Sequence, residues 1–123
     1  MIKNLKILIA EDDATSEMLI STAMKTFDAE IIKVRTGILA VETCQRNPDI
    51  DLILMDIKMP LIDGYEATRQ IRQFNTSVII IAQSAFALKG DKEKAIAAGC
   101  NDYIPKPIRN VQLTEIINKY FKK

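Results

Sequence analysis

The chain has 123 residues and a formal net charge of +1, from 17 Lys and Arg against 16 Asp and Glu. This balance argues against a general nucleic-acid-binding protein, which carries a basic excess, and the length suits one domain, residues 1–123. The sequence contains no His, so imidazole chemistry and imidazole metal ligands are excluded within the chain.

Short apolar runs alternate with longer amphipathic segments along the chain. The runs that predict strands cover residues 6–10, 30–34, 52–55, 78–82 and 102–104. The segments that predict helices cover residues 14–26, 38–45, 64–72 and 90–98, with a fifth marked by Leu113, Ile116, Ile117 and Tyr120. Strands one, three and four are almost wholly apolar, as parallel strands buried on both faces require. The pattern predicts an α/β fold with a single doubly wound sheet of five parallel strands and five helices.

Two local features have ordinary structural interpretations. The start of the first helix lies near Thr15 and Ser16, which suit its N-terminus, and acids just before it also favour that end. Cys44 and Cys100 are far apart and form no Cys-x-x-Cys motif. We therefore interpret both cysteines as buried apolar residues and expect neither a disulfide nor a zinc site.

Polar residues follow four of the five predicted strands. Asp12 and Asp13 follow strand one, and Asp56 follows strand three. Ser84 follows strand four, and Lys106 follows strand five. Ligands of such sheets bind outside the carboxyl ends of the strands, so these side chains converge if their strands are neighbours. Taken alone, the two acids after strand one suit a helix cap as well as they suit a metal.

The set of three carboxylates, a hydroxyl and an ammonium indicates a particular chemistry. Carboxylates brought close together repel, and a divalent cation with oxygen ligands relieves the repulsion. Few protein oxygens and several waters suit Mg²⁺ better than Ca²⁺. A carboxylate nucleophile beside such a cation suits phosphoryl transfer onto an aspartate.

Four segments resemble the receiver domains of two-component response regulators, and the resemblance covers essentially the whole chain. They are ILIAEDD at 7–13, DLILMDIKMP at 51–60, DGYE at 63–66 and AGCNDYIPKP at 98–107. Segments 63–72 and 98–108 are most similar to receivers of hybrid sensor histidine kinases. The resemblance implies a flavodoxin-like sheet with strand order 2-1-3-4-5.

The resemblance also implies a metal site and a phosphoacceptor. Asp56 is the expected acceptor of the phosphoryl group. Asp12, Asp13, Asp56 and the backbone carbonyl of Lys58 are the expected ligands of Mg²⁺ or Mn²⁺. Ser84 and Lys106 are expected to bind the phosphoryl group.

A switch is implied in the same way. Ser84 is expected to move toward the phosphoryl oxygens while Tyr103 turns inward, and a cis peptide bond before Pro107 is expected to aim Lys106 inward. This movement would repack a surface whose candidate residues are Lys89, Lys92, Glu93, Tyr103 and Arg109.

The sequence departs slightly from the common pattern of the family. Receivers often have Leu-Thr-Ala where this chain has Gln83, Ser84 and Ala85. Serine keeps the hydroxyl of threonine and loses a methyl group. Lys58 and Phe86 occupy positions that vary in the family and flank the site, where we expect them to affect the lifetime of the phosphoryl group.

The expected donor is a phosphohistidine on a histidine kinase or histidine phosphotransfer domain, because this chain has no His. The N-terminus lacks a signal segment and no apolar run is membrane-length, so we expect a cytoplasmic protein that contacts neither nucleic acid nor membrane. A weak or phosphorylation-dependent dimer is left open. The chain is not expected to be a conventional enzyme, although receivers support their own phosphotransfer and autodephosphorylation, and it is compatible with the receiver part of a hybrid kinase.

Three other classes of protein share parts of this pattern. A haloacid-dehalogenase-like phosphatase needs an acid two residues after the nucleophile, where this chain has Lys58. A flavin-binding module needs a first loop that cradles phosphate, and Glu11, Asp12 and Asp13 would repel it. A phosphorylation-independent interaction domain with the same fold is the alternative that the sequence leaves open.

Overall fold

Five parallel strands form one sheet in the order β2-β1-β3-β4-β5. The computed structural model describes residues 5–85 and 89–121. The strands are β1 (Lys6–Ala10), β2 (Glu30–Val34), β3 (Leu52–Asp56), β4 (Ile79–Ser84) and β5 (Asp102–Pro105). The helices are α1 (Ala14–Met24), α2 (Gly37–Arg46), α3 (Gly64–Arg72), α4 (Asp91–Ala98) and α5 (Asn110–Phe121), with a 3₁₀ turn at Lys25–Phe27. The predicted class, strand number and strand order are confirmed.

The strands extend further toward the site than the apolar runs indicated. The prediction ended the fourth strand at residue 82, whereas β4 continues to Ser84. Asp56 is likewise the last residue of β3 instead of the first residue after it. Parallel pairing of Asp56 with Gln83 and of Ser84 with Pro105 carries the strands through these polar residues. Two predicted site residues are therefore held by the sheet itself.

The sheet is covered on both faces. Alternate residues of β1, β3 and β4, such as Leu8 and Ile53, pack with α2, α3 and α4 in one fully buried cluster. The intervening residues, such as Ile7 and Leu54, pack with α1 and α5 in the other. All five residues of β3 are buried, because β3 is the central strand and has a helical layer on each face.

Side-chain caps set the start of three helices. Asp13 accepts a hydrogen bond from the Ser16 amide at 2.8 Å and so begins α1. Thr36 caps α2 and Asp63 caps α3 in the same way. Capping of α1 by an acid just before it is thus confirmed for Asp13, whereas the expectation that Thr15 or Ser16 serves this end was wrong, because both residues already lie within the helix.

The connection between β3 and α3 is tight. Leu61 has φ of 77°, and the Ile62 amide donates to the Pro60 carbonyl at 3.0 Å, which closes a γ-turn at Leu61. Gly64 then approaches β3 so closely that a Cβ there would lie 2.8 Å from the Cα of Ile57 and closer still to the Asp56 carbonyl oxygen. Glycine is required at this position because the start of α3 lies directly against the end of β3.

Both cysteines are buried, as predicted. Cys44 is 1% exposed and Cys100 is 6% exposed, and both belong to the cluster beneath α2, α3 and α4. The Thr68 hydroxyl lies 3.6 Å from the Cys100 sulfur. Both are free thiols.

Candidate functional site

The ends of β3, β4 and β5 bring the predicted acceptor, hydroxyl and ammonium to one edge of the sheet. Asp56 is 3% exposed and Ser84 is 2% exposed at the last positions of their strands. Lys106 follows β5 directly, and its amide donates to the Ser84 carbonyl at 2.8 Å. The Lys106–Pro107 peptide bond is cis, as predicted. The Lys106 ammonium lies 3.5 Å from Asp56 Oδ1.

Three carboxylates gather beside this lysine. One oxygen from each of Glu11, Asp12 and Asp56 lies within 4.8 Å of the others. Glu11 is completely buried, with its Oε1 2.5 Å from Lys106 Nζ and its Oε2 accepting from the Asp13 amide at 3.2 Å. Asp12 is exposed and lies at the open side of the group.

Asp13 does not belong to this group of carboxylates, contrary to the predicted ligand set. Its carboxylate is exposed and caps α1 through the Ser16 amide, which holds the pKa of Asp13 below its ordinary value. Glu11, two residues earlier, supplies the inward carboxylate instead. The structure therefore places the acidic pair at Glu11 and Asp12, one residue before the predicted pair.

Asp56 is in an environment that disfavours its charge. Burial is the main cause, the neighbouring Glu11 carboxylate adds to it, and together they raise the pKa of Asp56 to about 7. Lys106 acts in the opposite direction, but its ammonium lies nearer to Glu11 than to Asp56. A cation placed among the three carboxylates would favour the ionised, nucleophilic form of Asp56.

The residues present fit a divalent cation. Glu11, Asp12, Asp56 and Lys58 all line one cavity of about 300 Å³, which also reaches Lys106. Asp13 lines this cavity too, with its carboxylate engaged by the Ser16 amide. Hard oxygen donors of this kind suit Mg²⁺ or Mn²⁺, and the openness of the group at Asp12 leaves room for bound water. Lys58, two residues after Asp56, is exposed and lines this cavity.

The two predicted switch residues lie close together. Ser84 lines a second, larger cavity of about 630 Å³ that also reaches Asp12 and Lys58. Tyr103 is half-buried in β5, and its hydroxyl is completely shielded from solvent. Burial is the main cause that raises the pKa of Tyr103, while the Ser84 hydroxyl acts to lower it. Ser84 and Tyr103 are therefore close enough to influence one another.

Four of the five residues of the predicted interaction surface are exposed, and the fifth, Tyr103, is half-buried. Lys89, Lys92, Glu93 and Arg109 are exposed around α4 and the start of α5. Phe86, expected to flank the site, lies outside the described residues. Over residues 5–85 and 89–121, no helix combines the length and the apolarity needed to cross a membrane.

Comparison with known proteins connects this geometry to a family. A family model described as "Response regulator receiver domain" matches residues 7–118. "Hybrid signal transduction histidine kinase I" of Dictyostelium discoideum is 41% identical over 121 residues, which are 92% of this chain and 7% of that protein. The "Polar-differentiation response regulator DivK" of Brucella ovis is 34% identical over 116 residues, which cover 93% of this chain and 94% of that protein. The relatives thus include a long kinase, of which this chain spans only a small part, and a short regulator.

Solved structures of receiver domains share the fold. The receiver domain of sensor histidine kinase PA1611 from Pseudomonas aeruginosa, solved with a magnesium ion coordinated in its active site cleft, is 36% identical with a TM-score of 0.87. That alignment covers 98% of this chain and 99% of the other. The receiver domain of Ssk1 from Saccharomyces cerevisiae, solved with the histidine phosphotransfer protein Ypd1, is 28% identical with a TM-score of 0.89, covering 98% and 90%. This chain belongs to the response regulator receiver domains of two-component systems.

Proposed function

We propose that residues 1–123 form one phosphoacceptor domain, in which Asp56 accepts a phosphoryl group from a phosphohistidine. The observation that carries the proposal is the buried Asp56 carboxylate, which lies among two further acids and 3.5 Å from the Lys106 ammonium. The chain contains no His, so the donor belongs to a histidine kinase or histidine phosphotransfer domain. The crystallised pairing of the Ssk1 receiver with Ypd1 supports a donor of the second kind.

The transfer exchanges one bond to phosphorus for another. A carboxylate oxygen of Asp56 attacks the phosphorus atom, the bond from phosphorus to the donor imidazole nitrogen breaks, and its electron pair stays on that nitrogen. Lys106 and the Ser84 hydroxyl bind the phosphoryl oxygens, and their positive charge and hydrogen bond stabilise the developing charge. Asp56 must be ionised to attack, although its surroundings raise its pKa to about 7.

We propose Asp12, Asp56 and the Lys58 carbonyl as the residues that hold Mg²⁺ or Mn²⁺, with Glu11 beside them in the role first expected of Asp13. When bound, the cation supplies positive charge for the phosphoryl oxygens and for the carboxylates. The group of three acids and the magnesium-bound structure of the 36% identical receiver support this assignment. Glu11 and Lys106 orient one another through their ion pair.

Phosphorylation is proposed to change the surface around α4 and β5. The added group brings about two negative charges to the end of β3. Ser84 moves toward it, and Tyr103 packs inward in response, which alters how a partner meets Lys89, Lys92, Glu93 and Arg109. The nearness of Ser84 and Tyr103 supports this coupling.

Intact-mass spectrometry after incubation with acetyl phosphate tests the acceptor. The natural chain should gain one phosphoryl group with Mg²⁺ and none with EDTA, and Asp56→Asn should gain none. Asp28→Asn is the matched control, because Asp28 is exposed at the turn before β2 and has the left-handed φ of 43° that asparagine tolerates. Asp28→Asn should be phosphorylated like the natural chain.

The same experiment decides against the alternative function. If no adduct forms and beryllofluoride with Mg²⁺ leaves the NMR spectrum of the protein unchanged, the chain is a phosphorylation-independent interaction domain. Size-exclusion chromatography with and without beryllofluoride checks the prediction of a weak or phosphorylation-dependent dimer.

A further inference from the structure

A buried carboxylate that accepts a hydrogen bond from a tyrosine lies on the same cavity as Ser84 of the proposed switch. Asp91 is the first residue of α4 and is only 9% exposed. The Tyr65 hydroxyl, from the first turn of α3, donates to Asp91 Oδ1 at 3.5 Å. Tyr65, Ser84 and Asp91 line the same 630 Å³ cavity, which continues to Asp12. One cavity thus joins the proposed metal site to this carboxylate.

Tyr103 lies on β5 and packs, like Tyr65, against the core cluster beneath α2, α3 and α4. Its hydroxyl is shielded from solvent and completes no well-formed hydrogen bond within the described part of the chain. After burial, the Asp91 carboxylate is the next cause that raises the pKa of Tyr103. Burial, then Asp91, then Tyr103 raise the pKa of Tyr65 to about 12. The two tyrosines therefore interact with Asp91 and with each other.

A carboxylate has enough lone pairs to accept from both tyrosine hydroxyls. Ser84 and Asp91 are among the polar groups that influence the Tyr103 hydroxyl. When Ser84 turns to a phosphoryl group, Asp91 is the acceptor that is left for Tyr103. A hydrogen bond from a hydroxyl to a carboxylate is strong in a buried site. When Tyr103 donates to Asp91, the hydrogen bond from Tyr65 to the same carboxylate therefore changes in strength.

We propose that Asp91 is a positioning residue that couples Tyr65 to Tyr103, so that the response to phosphorylation at Asp56 reaches α3 as well as β5. This inference rests on the proposed function, because it needs Ser84 to move when Asp56 is modified. A purely structural Asp91 would favour the helix N-terminus through its charge and would pack against Tyr65. That role predicts altered stability with an unchanged response of Tyr65.

The test is ¹⁹F NMR of the chain labelled with fluorotyrosine. The sequence has three tyrosines, so three resonances are expected, and single Tyr→Phe variants assign them. Addition of beryllofluoride and Mg²⁺ should shift the resonances of both Tyr103 and Tyr65. In Asp91→Ala, the shift of Tyr65 should fall by about fivefold or more while that of Tyr103 persists. Asp91→Asn keeps an acceptor oxygen and should restore part of the Tyr65 shift.

Matched variants keep the test decisive. Glu42→Ala removes an exposed acid from α2, away from Asp91, and should leave both shifts unchanged. Should Asp91→Ala fail to fold, Tyr65→Phe removes only one hydroxyl and should alter the beryllofluoride shift of Tyr103. A Tyr65 resonance that does not move in the natural chain, or moves equally in Asp91→Ala, overturns the inference. Absence of a phosphoryl adduct by mass, together with no response to beryllofluoride and Mg²⁺, would overturn the proposed function, and this inference with it.

Discussion

Replacing the proposed phosphoacceptor is expected to stabilise the metal-free protein. Burial and the Glu11 carboxylate raise the pKa of Asp56 from 3.8 to about 7. Ionising Asp56 therefore costs more free energy in the folded chain than in the unfolded chain. One pKa unit corresponds to about 1.4 kcal/mol, which sets a ceiling of about 4 kcal/mol on this cost. Asparagine has the same shape without the charge. Asp56→Asn should therefore raise the free energy of unfolding by about 2–4 kcal/mol near pH 8.

The sign of the pH dependence follows from the raised pKa. Between about pH 4 and about pH 7 Asp56 binds more protons in the folded chain than in the unfolded chain, so its contribution to stability falls as the pH rises. The gain from Asp56→Asn should be small near pH 4.5 and complete near pH 8. Mg²⁺ should stabilise the natural chain more than Asp56→Asn, because it binds the folded carboxylates.

Urea denaturation followed by circular dichroism in EDTA, at both pH values, measures the effect. Glu42→Gln is the control, since Glu42 is an exposed acid on α2 and its loss should change stability little. An Asp56→Asn protein that is no more stable than the natural chain near pH 8, or that gains equally at both pH values, would refute the reasoning from buried charge.

Three further substitutions follow from the geometry. Asp12→Ala should weaken Mg²⁺ binding by more than about tenfold in a titration. Asp13→Ala should lower the melting temperature, because it removes the cap of α1, and leave the Mg²⁺ affinity nearly unchanged. Equal losses of affinity in the two variants would support Asp12 and Asp13 as the metal ligands, as first predicted. Gln83→Leu should raise the free energy of unfolding by about 1–2 kcal/mol in urea, because both polar atoms of its buried side chain find no hydrogen-bond partner within the described residues; a loss of stability would show that they are satisfied. Gly64→Ala should lower it by about 1–3 kcal/mol, because its Cβ meets the backbone of β3, and an unchanged midpoint would contradict that contact.

Most of the fold was predictable because local pattern and topology agree. Apolar runs of strand length alternate with amphipathic segments, and only a parallel sheet covered on both faces buries the runs of β1, β3 and β4. The positions of Asp56, Ser84 and Lys106 followed from the rule that sites form at the carboxyl ends of such strands. The strand order and the roles of these residues came from the resemblance to receivers.

The identity of the inward acid was not predictable from spacing. Glu11, Asp12 and Asp13 are consecutive, and a difference of one residue decides which faces the sheet edge and which caps α1. Glu11 is tolerated in the interior because Lys106 pairs with it, and the two are distant in sequence. The burial of Asp91 was missed for a similar reason, since its partner Tyr65 lies on another helix.

The reactivity of the two free cysteines, Cys44 and Cys100, can report local and global unfolding of the chain. Burial raises the pKa of both thiols, so the folded protein offers little thiolate to an alkylating reagent. Labelling of Cys44 or Cys100 therefore requires the surrounding helices to separate. Cys44 lies on α2, whereas Cys100 follows α4, so the ratio of their labelling rates distinguishes local release of α4 from global unfolding. The labelling rates of the two natural cysteines therefore report the opening of α4 without any added probe.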